Sequence, residues 1–237
     1  MIAPRLHVAR IRAITLDLDD TLWPVWPTIE RAEHALRQWL DEHAPHTAAL
    51  ARHGDTARRA RHQTHASHPH KSHDLGHLRR ETIRQLLAWA GEPTHLAEPA
   101  FDVFLAARQR VTLFDDALPA LRRLATRYPL VALSNGNADV HRVGLGHYFH
   151  AAVSAAQVGV GKPDARIFAA GAQATGVPHD AVLHVGDDAH LDGAGALTTG
   201  MQMAWINRAA TPWPEAAGSR PHAETGDLLA LCDLLGV

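Results

Sequence analysis

Asp17 and Asp19 stand two residues apart at the end of an apolar run, Ile11 to Leu18. At that spacing on an extended backbone both side chains point the same way. One carboxylate can then attack phosphorus while the other gives a proton to the leaving group. The same residues could instead form an acidic turn capping a helix, since Asp19-Asp20-Thr21 runs on into aromatic residues. Three later segments add a hydroxyl, an ammonium and more acid: Ser134 in Leu133-Ser134-Asn135-Gly136, Lys162 in Gly161-Lys162-Pro163, and Asp187, Asp188 and Asp192 after Val185. Together they could hold a divalent cation and a phosphate side by side. Hard oxygen ligands of this kind suit Mg²⁺. N-capping of a helix from Leu191 would explain one of the three late aspartates, but hardly all of them. Taken alone, Ser134-Asn135-Gly136 are simply turn residues. Gly159-Val160-Gly161-Lys162 is not a nucleotide P-loop, because the outer glycine is missing and a proline follows the lysine.

The elements that would position these residues alternate. Ile11 to Leu18, Pro129 to Leu133 and Ala181 to Val185 read as strands buried on both faces. Met201 to Ile206 is a further strand and Ala152-Val153-Ser154 a weaker one. Helical patterns cover Asp116 to Tyr128, Ala138 to Gly146, Ala165 to Gly176 and Leu191 to Thr199. The alternation predicts an α/β fold with a doubly wound parallel sheet, in which ligands bind outside the carboxyl ends of the strands. All the polar segments fall at such ends. Residues 27–111 break the pattern: helical stretches such as Ile29 to His43, Leu78 to Ala90 and Leu96 to Arg110 are punctuated by Pro45, Gly54-Asp55, His68-Pro69 and Gly91-Glu92-Pro93. This block predicts a small α-helical domain inserted over the mouth of a core formed by residues 1–26 and 112–237.

Composition narrows the class. A chain of 237 residues with 46% apolar content can bury one sizeable core or a core with a small accessory domain. A net charge of -2 gives no general reason to expect nucleic acid or an anionic membrane as partner. No stretch approaches a bilayer span, and the N-terminus lacks the apolar region of a secretory signal. Cys232 is the only cysteine, so an internal disulfide is excluded. A cytoplasmic enzyme, monomeric or homodimeric, is expected. Lys71 and Lys162 are the only lysines, so the lysine in Gly161-Lys162-Pro163 stands out from an otherwise arginine-only set of cations. A compact ammonium suits a phosphoryl oxygen or a carboxylate-rich site.

The ordered set resembles the four motifs of the haloacid dehalogenase-like hydrolase superfamily: Asp17-Leu18-Asp19-Asp20-Thr21, then Ser134, Lys162, and Gly186-Asp187-Asp188 with Asp192. The resemblance covers nearly the whole chain, and it implies a Rossmann-like core with a helical cap after the first motif. It further implies that Asp17 is the nucleophile forming an aspartyl-phosphate and Asp19 the general acid/base. Ser134, Asn135 and Lys162 would hold the phosphoryl group. Mg²⁺ would be bound by the Asp17 carboxylate, the Asp19 backbone carbonyl and Asp187, with Asp188 and Asp192 in support. Members that displace halide lack an aspartate two residues after the nucleophile, so Asp19 favours phosphate-ester hydrolysis over 2-haloacid dehalogenation.

Leu133 to Ala138, Leu183 to Asp188 and Gly200-Met201-Gln202 look similar to a bacterial branch that includes phosphatases of flavin mononucleotide and of 5-amino-6-(5-phospho-D-ribitylamino)uracil. The implied substrate is one of these small phosphomonoesters of riboflavin biosynthesis; another sugar phosphate, phosphoglycolate or a nucleotide is the alternative. Trp23 and Trp26 would pack the cap–core junction, close the site against water or stack on a flat ring. His62, His65, His68, His70, His73 and His77 crowd one segment with Arg58, Arg59 and Arg61. A solvated histidine-rich loop is expected there, although such a density could bind a transition metal or meet an anionic substrate. A non-catalytic metal-binding protein is the remaining alternative.

Overall fold

A computed structural model describes residues 5–237. Strand β1 (Ala13–Leu16) is followed by five helices: α1 (Val25–His43), α2 (Pro45–Arg52), α3 (Gly54–Ser67), α4 (Leu75–Ala90) and α5 (Ala97–Arg108). Then come α6 (Ala117–Ala125), β2 (Leu130–Ser134), α7 (Val140–Val143), β3 (Ala151–Ser154), α8 (Ala155–Val158), α9 (Ala165–Thr175), β4 (Val182–Gly186), α10 (Gly195–Thr198), β5 (Gln202–Ile206), β6 (Ala223–Thr225) and α11 (Leu228–Leu235). The chain divides into two compact units, one of Met1–Pro24 with Thr112–Val237, the other of Val25–Val111.

The first unit is α/β. Its six strands run in the order β3-β2-β1-β4-β5-β6, and every pairing is parallel. The four inner strands are buried along their whole length, whereas the edge strands β3 and β6 are partly exposed. That is the burial expected of a parallel sheet covered by helices on both faces. The helices supply the cover through apolar stripes at helical spacing, such as Ala117, Ala120, Leu121 and Leu124 on α6, and Ile167, Phe168 and Ala172 on α9. The chain leaves β1 toward β2 and β3, then returns to β4 on the other side of β1. Strands β1 and β4 therefore flank the switch point at which open α/β sheets bind ligands. No helix of the described residues is long and apolar enough to cross a membrane.

The second unit is helical. Ala32, Leu36 and Leu40 of α1, Ile83 and Leu87 of α4, and Ala97, Ala100, Phe101, Phe104 and Ala107 of α5 form its apolar core. Asp74 caps α4 by accepting from His77 N at 2.9 Å, and Gly91, at φ 71°, ends it in the left-handed conformation that glycine adopts without strain. The histidine-rich segment is mostly helical rather than a loop: His62 and His65 lie in α3, His70 in a 3₁₀ turn at Pro69–Lys71, and His77 in α4. Ala60 and Thr64, four residues apart and both buried, give α3 the inner face that its polar composition conceals.

Two predicted helices are also cut short. Ala138 to Gly146 yields only α7, ended by Gly144 at φ 92°. Leu191 to Thr199 is replaced by a π-helical turn over Ala189–Ala194 running into α10. Strand β6 and helix α11 were not expected; β6 has only three residues, too few to show a period.

Candidate active site

The carboxyl end of β1 runs directly into the first acidic segment. Asp17 N donates to Val185 O at 2.9 Å, which extends the sheet pairing with β4 one residue past the strand. A tight turn follows, closed by Leu22 N to Leu18 O and by Asp20 N to Trp23 O, both at 2.8 Å. Asp20 takes φ 57°, a conformation that aspartate tolerates better than most residues. Trp23 is fully buried and its indole Nε1 donates to Asp19 Oδ1 at 2.8 Å; Trp26 is 72% exposed. Thr21 Oγ1 donates to Asp187 Oδ1 at 3.1 Å, tying the β1 turn to the one after β4. From beyond β5, the Arg208 guanidinium donates to Thr21 O at 2.8 Å and grips both oxygens of Asp116 at 3.0 and 2.9 Å.

Lys162 reaches this point from the loop before α9. Its side chain is buried, and Nζ donates to Asp17 Oδ1 and, at 2.6 Å, to Asp192 Oδ1. The Asn135 side-chain amide clamps the lysine backbone, with Oδ1 accepting from Lys162 N at 2.7 Å and Nδ2 donating to Lys162 O at 2.9 Å. A Cβ on Gly161 would stand 2.8 Å from Asn135 Oδ1, so only glycine leaves room for the clamp. Ser134 is buried at the end of β2, and its Oγ accepts from Gly136 N at 2.9 Å.

The turn after β4 supplies the remaining acid. Asp192 is buried, and its Oδ2 accepts from Asp188 N at 3.0 Å. A Cβ on Gly186 would stand 2.3 Å from Asp192 Cγ, so that approach also requires glycine. Asp192 Oδ1 meets His184 Nε2 at 3.0 Å, and His184 Nδ1 meets Thr15 Oγ1 at 2.9 Å. Asp188 turns away: its Oδ1 accepts from His190 N and Leu191 N, both at 2.8 Å, capping the π-helical turn.

Electrostatically the site is short of positive charge. Burial, reinforced by Asp192 and Asp187, pushes the Asp17 carboxyl well above the usual range despite the Lys162 ammonium. Burial, with Asp192 and Asp20 nearby, raises Asp187 to about 7. Burial also opposes the charge on Asp192, but Lys162 and His184 outweigh it and hold that carboxyl low. For Lys162 the carboxylates of Asp17 and Asp192 likewise outweigh burial and hold the ammonium protonated. Oxygens of Asp17, Asp187 and Asp192 all lie within 4.8 Å of one another. Three carboxylates facing one ammonium leave two uncompensated negative charges when all are ionised, and the donors are hard oxygens. A divalent cation such as Mg²⁺ fits both the charge and the ligand type.

Asp17, Lys162, Asp187 and Asp192 thus converge, while Asp188 and the Asn135 side chain serve neighbouring backbone. Sequence reasoning missed Thr15, His184 and the Arg208–Asp116 pair. Thr15 and His184 left a trace, being the polar positions inside the buried runs Ala13–Leu16 and Val182–Val185. Arg208 and Asp116 left none, since they meet across 92 positions of sequence.

Comparison with known proteins identifies the family. Residues 11–198 match the family model for haloacid dehalogenase-like hydrolases. The chain is 33% identical over 234 residues to the 5-amino-6-(5-phospho-D-ribitylamino)uracil phosphatase YigB of Escherichia coli (strain K12), covering 96% of this chain and 98% of that protein. It is 34% identical over 131 residues to the (S)-2-haloacid dehalogenase of Pseudomonas sp. (strain YL), covering 53% of this chain and 56% of that enzyme. Among solved structures, a 2-haloacid dehalogenase from Pseudomonas syringae pv. Tomato DC3000 superposes with a TM-score of 0.89 at 37% identity, covering 95% of this chain and 98% of that one. The chain belongs to the haloacid dehalogenase-like hydrolase family.

Proposed function

We propose that this chain is a Mg²⁺-dependent phosphatase of a small phosphomonoester, working through an aspartyl-phosphate on Asp17. The observation that carries the reading is the buried Asp17 carboxylate held against Lys162 Nζ, with a second carboxyl, Asp19, two residues on. In the first step an Asp17 oxygen attacks phosphorus, the ester P–O bond breaks, and Asp19 protonates the departing alkoxide. In the second, Asp19 takes a proton from water, whose oxygen attacks phosphorus and releases Asp17 and inorganic phosphate. Ser134 Oγ and Lys162 Nζ hold the phosphoryl oxygens, and Asn135 keeps Lys162 in place through its backbone. Asp17, the Asp19 carbonyl and Asp187 would hold the Mg²⁺, with Asp192 beside them. When bound, the cation offsets the charge that the anionic phosphoryl group brings against Asp17.

The substrate we favour is 5-amino-6-(5-phospho-D-ribitylamino)uracil or flavin mononucleotide, which would place the enzyme in riboflavin biosynthesis in the cytoplasm. It is supported by the full-length similarity to YigB. A second reading, hydrolysis of a 2-haloacid, is favoured by the full-length likeness to the P. syringae structure, but leaves Asp19 without a task because a halide leaves unprotonated.

Phosphate release from both flavin-pathway substrates, sugar phosphates and nucleotides, alongside halide release from a 2-haloacid, separates the two. We expect phosphate release that needs Mg²⁺, stops with chelator, and falls by about 10⁴-fold or more in Asp17→Asn. Halide release indifferent to chelator, with no phosphate from any ester, would establish the dehalogenase instead.

A further inference from the structure

Behind the site lies a buried polar pair that the reaction above does not use. Thr15 and His184 are register partners on β1 and β4, and both are fully buried within otherwise apolar strands. The imidazole packs edge-on against the Phe168 ring, with centroids 5.1 Å apart at 87°. The Asp192 carboxylate can only accept, so His184 Nε2 carries the proton and donates to Asp192 Oδ1; Nδ1 then accepts from the Thr15 hydroxyl. With a neutral imidazole, this is the direction of the chain of hydrogen bonds. It runs from the middle of the sheet through Asp192 to Lys162 Nζ and ends on Asp17.

We infer that His184, held by Thr15, is a positioning residue that orients Asp192 so that Asp192 anchors the Lys162 ammonium throughout the reaction. The need for a second anchor follows from the chemistry. Lysine carries its charge on a flexible four-carbon stem, and in the resting site two carboxylates hold it. Once Asp17 is phosphorylated, its carboxylate charge is gone and Asp192 alone holds the ammonium against the phosphoryl oxygens. With Oδ2 fixed by Asp188 N and Oδ1 fixed by His184, the Asp192 carboxylate cannot rotate away. Conserving that geometry matters after substrate has bound, so the effect belongs in kcat more than in KM.

The activity arm of the test rests on the phosphatase reading; a spectroscopic arm does not. His184→Leu, His184→Gln and Thr15→Val are compared with the unaltered chain for turnover of p-nitrophenyl phosphate with Mg²⁺. In parallel, protein labelled with ¹⁵N-lysine reports Lys162 directly, because Lys71 gives the only other lysine signal. We expect a hydrogen-bonded, slowly exchanging Lys162 ammonium signal in the unaltered chain. His184→Leu should lose that signal and lower kcat by about 10- to 100-fold with little change in KM. His184→Gln, which can return a donor to Asp192, should recover most of both, and Thr15→Val should lie between. A lower melting temperature with unchanged kcat and an unchanged Lys162 signal would reduce His184 to a structural residue and overturn the inference. If His184→Leu fails to fold, Thr15→Val decides, and a Lys162 signal unchanged in that variant overturns it equally. Should the unaltered chain release no phosphate at all, the phosphatase reading fails while the lysine signals still test the anchor.

Discussion

The two units handle charge in opposite ways. In the α/β unit Asp17, Lys162, His184 and Asp192 are buried together, and their carboxylates outnumber their cations. In the helical unit the buried polar side chains are the threonines 28, 47, 64 and 82 with Arg108 and Gln109. Its ion pairs lie nearer the surface, as with Arg80–Glu98 at 2.8 Å and Arg84–Glu98 at 2.6 Å. Arginine heads there also cover aromatic faces, Arg79 over Phe104 at 4.2 Å and Arg80 over Phe101 at 4.6 Å. Exposed pairs of this kind contribute about 0–1 kcal/mol each, so apolar packing decides the stability of the helical unit. One unit tolerates destabilising charge at a single strand-end site because four fully buried strands surround it; the other tolerates charge by keeping most of it wet.

The sharpest way to break that contrast is to remove the one ammonium from the buried site. Lys162→Met keeps the length of the side chain but leaves Asp17 and Asp192 facing each other without a cation. Loss of one partner of a buried pair costs about 3–5 kcal/mol, and denaturant unfolding at neutral pH in chelator should show a loss of that size. An undiminished unfolding midpoint would mean that the site's charge is not held as described. In the helical unit the matching experiment removes apolar bulk: Phe104→Ala should cost about 3–4 kcal/mol. Hydrogen exchange should then show protection falling across α1, α4 and α5, whose side chains share the Phe104 cluster, and persisting in β1 and β4. Equal losses in the strands would show that the units do not hold their stability separately.

The same contrast explains what was legible in the sequence. Buried parallel strands are continuous apolar runs, so β1, β2, β4 and β5 stand out, and the residues just past them are picked out by position. Lys162 was legible through its rarity and Asp192 through its place in the acidic cluster after Val185. Helix boundaries were less so: α7 ends at Gly144 after a single turn, and the turn at 189–194 takes a π-helical form that no periodicity marks. In α3 a surface of Arg and His hides an inner face of two small residues. Hydrogen bonds between distant segments were the least visible: Thr21 to Asp187 and Arg208 to Thr21 arise only from folding.

Smaller effects should appear as pH dependence, and with opposite sign in the two units. Asp187 has its folded value raised from 3.8 to about 7, chiefly by burial. The unfolded chain therefore releases this proton near 3.8 while the folded, metal-free chain keeps it until about 7, and stability falls as pH rises through that window. Asp187→Asn cannot ionise, so in chelator it should be more stable than the unaltered chain at pH 8, by about 1–3 kcal/mol once partial exposure is allowed for. Near pH 4 the advantage should vanish. Added Mg²⁺ should stabilise the unaltered chain more than the variant, reversing the order; a pH-independent difference would remove Asp187 from the site's charge balance.

Glu92 offers the reverse case in the helical unit. Helix α2 begins after Ala44, which cannot cap it, and Glu92 takes the cap's place by accepting from His46 N at 3.1 Å and Thr47 N at 2.8 Å, as well as from the Thr47 hydroxyl. Burial works against its charge, but those hydrogen bonds prevail and lower its carboxyl from 4.5. The stability it contributes is therefore fully present above pH 4.5 and is lost as pH falls through the lower folded value. Glu92→Gln keeps one acceptor oxygen and removes the charge, so at pH 7 it should cost about 0.5–1 kcal/mol, the scale of a single helix cap. In acid both side chains are neutral and the two melting temperatures should converge, whereas the Asp187→Asn difference opens only toward alkaline pH. A Glu92→Gln cost that persists unchanged at pH 3 would mean that the shape of the side chain, and not its charge, holds the start of α2. The contrast between a unit weakened by its ionised carboxylates and one strengthened by them would then rest on Asp187 alone.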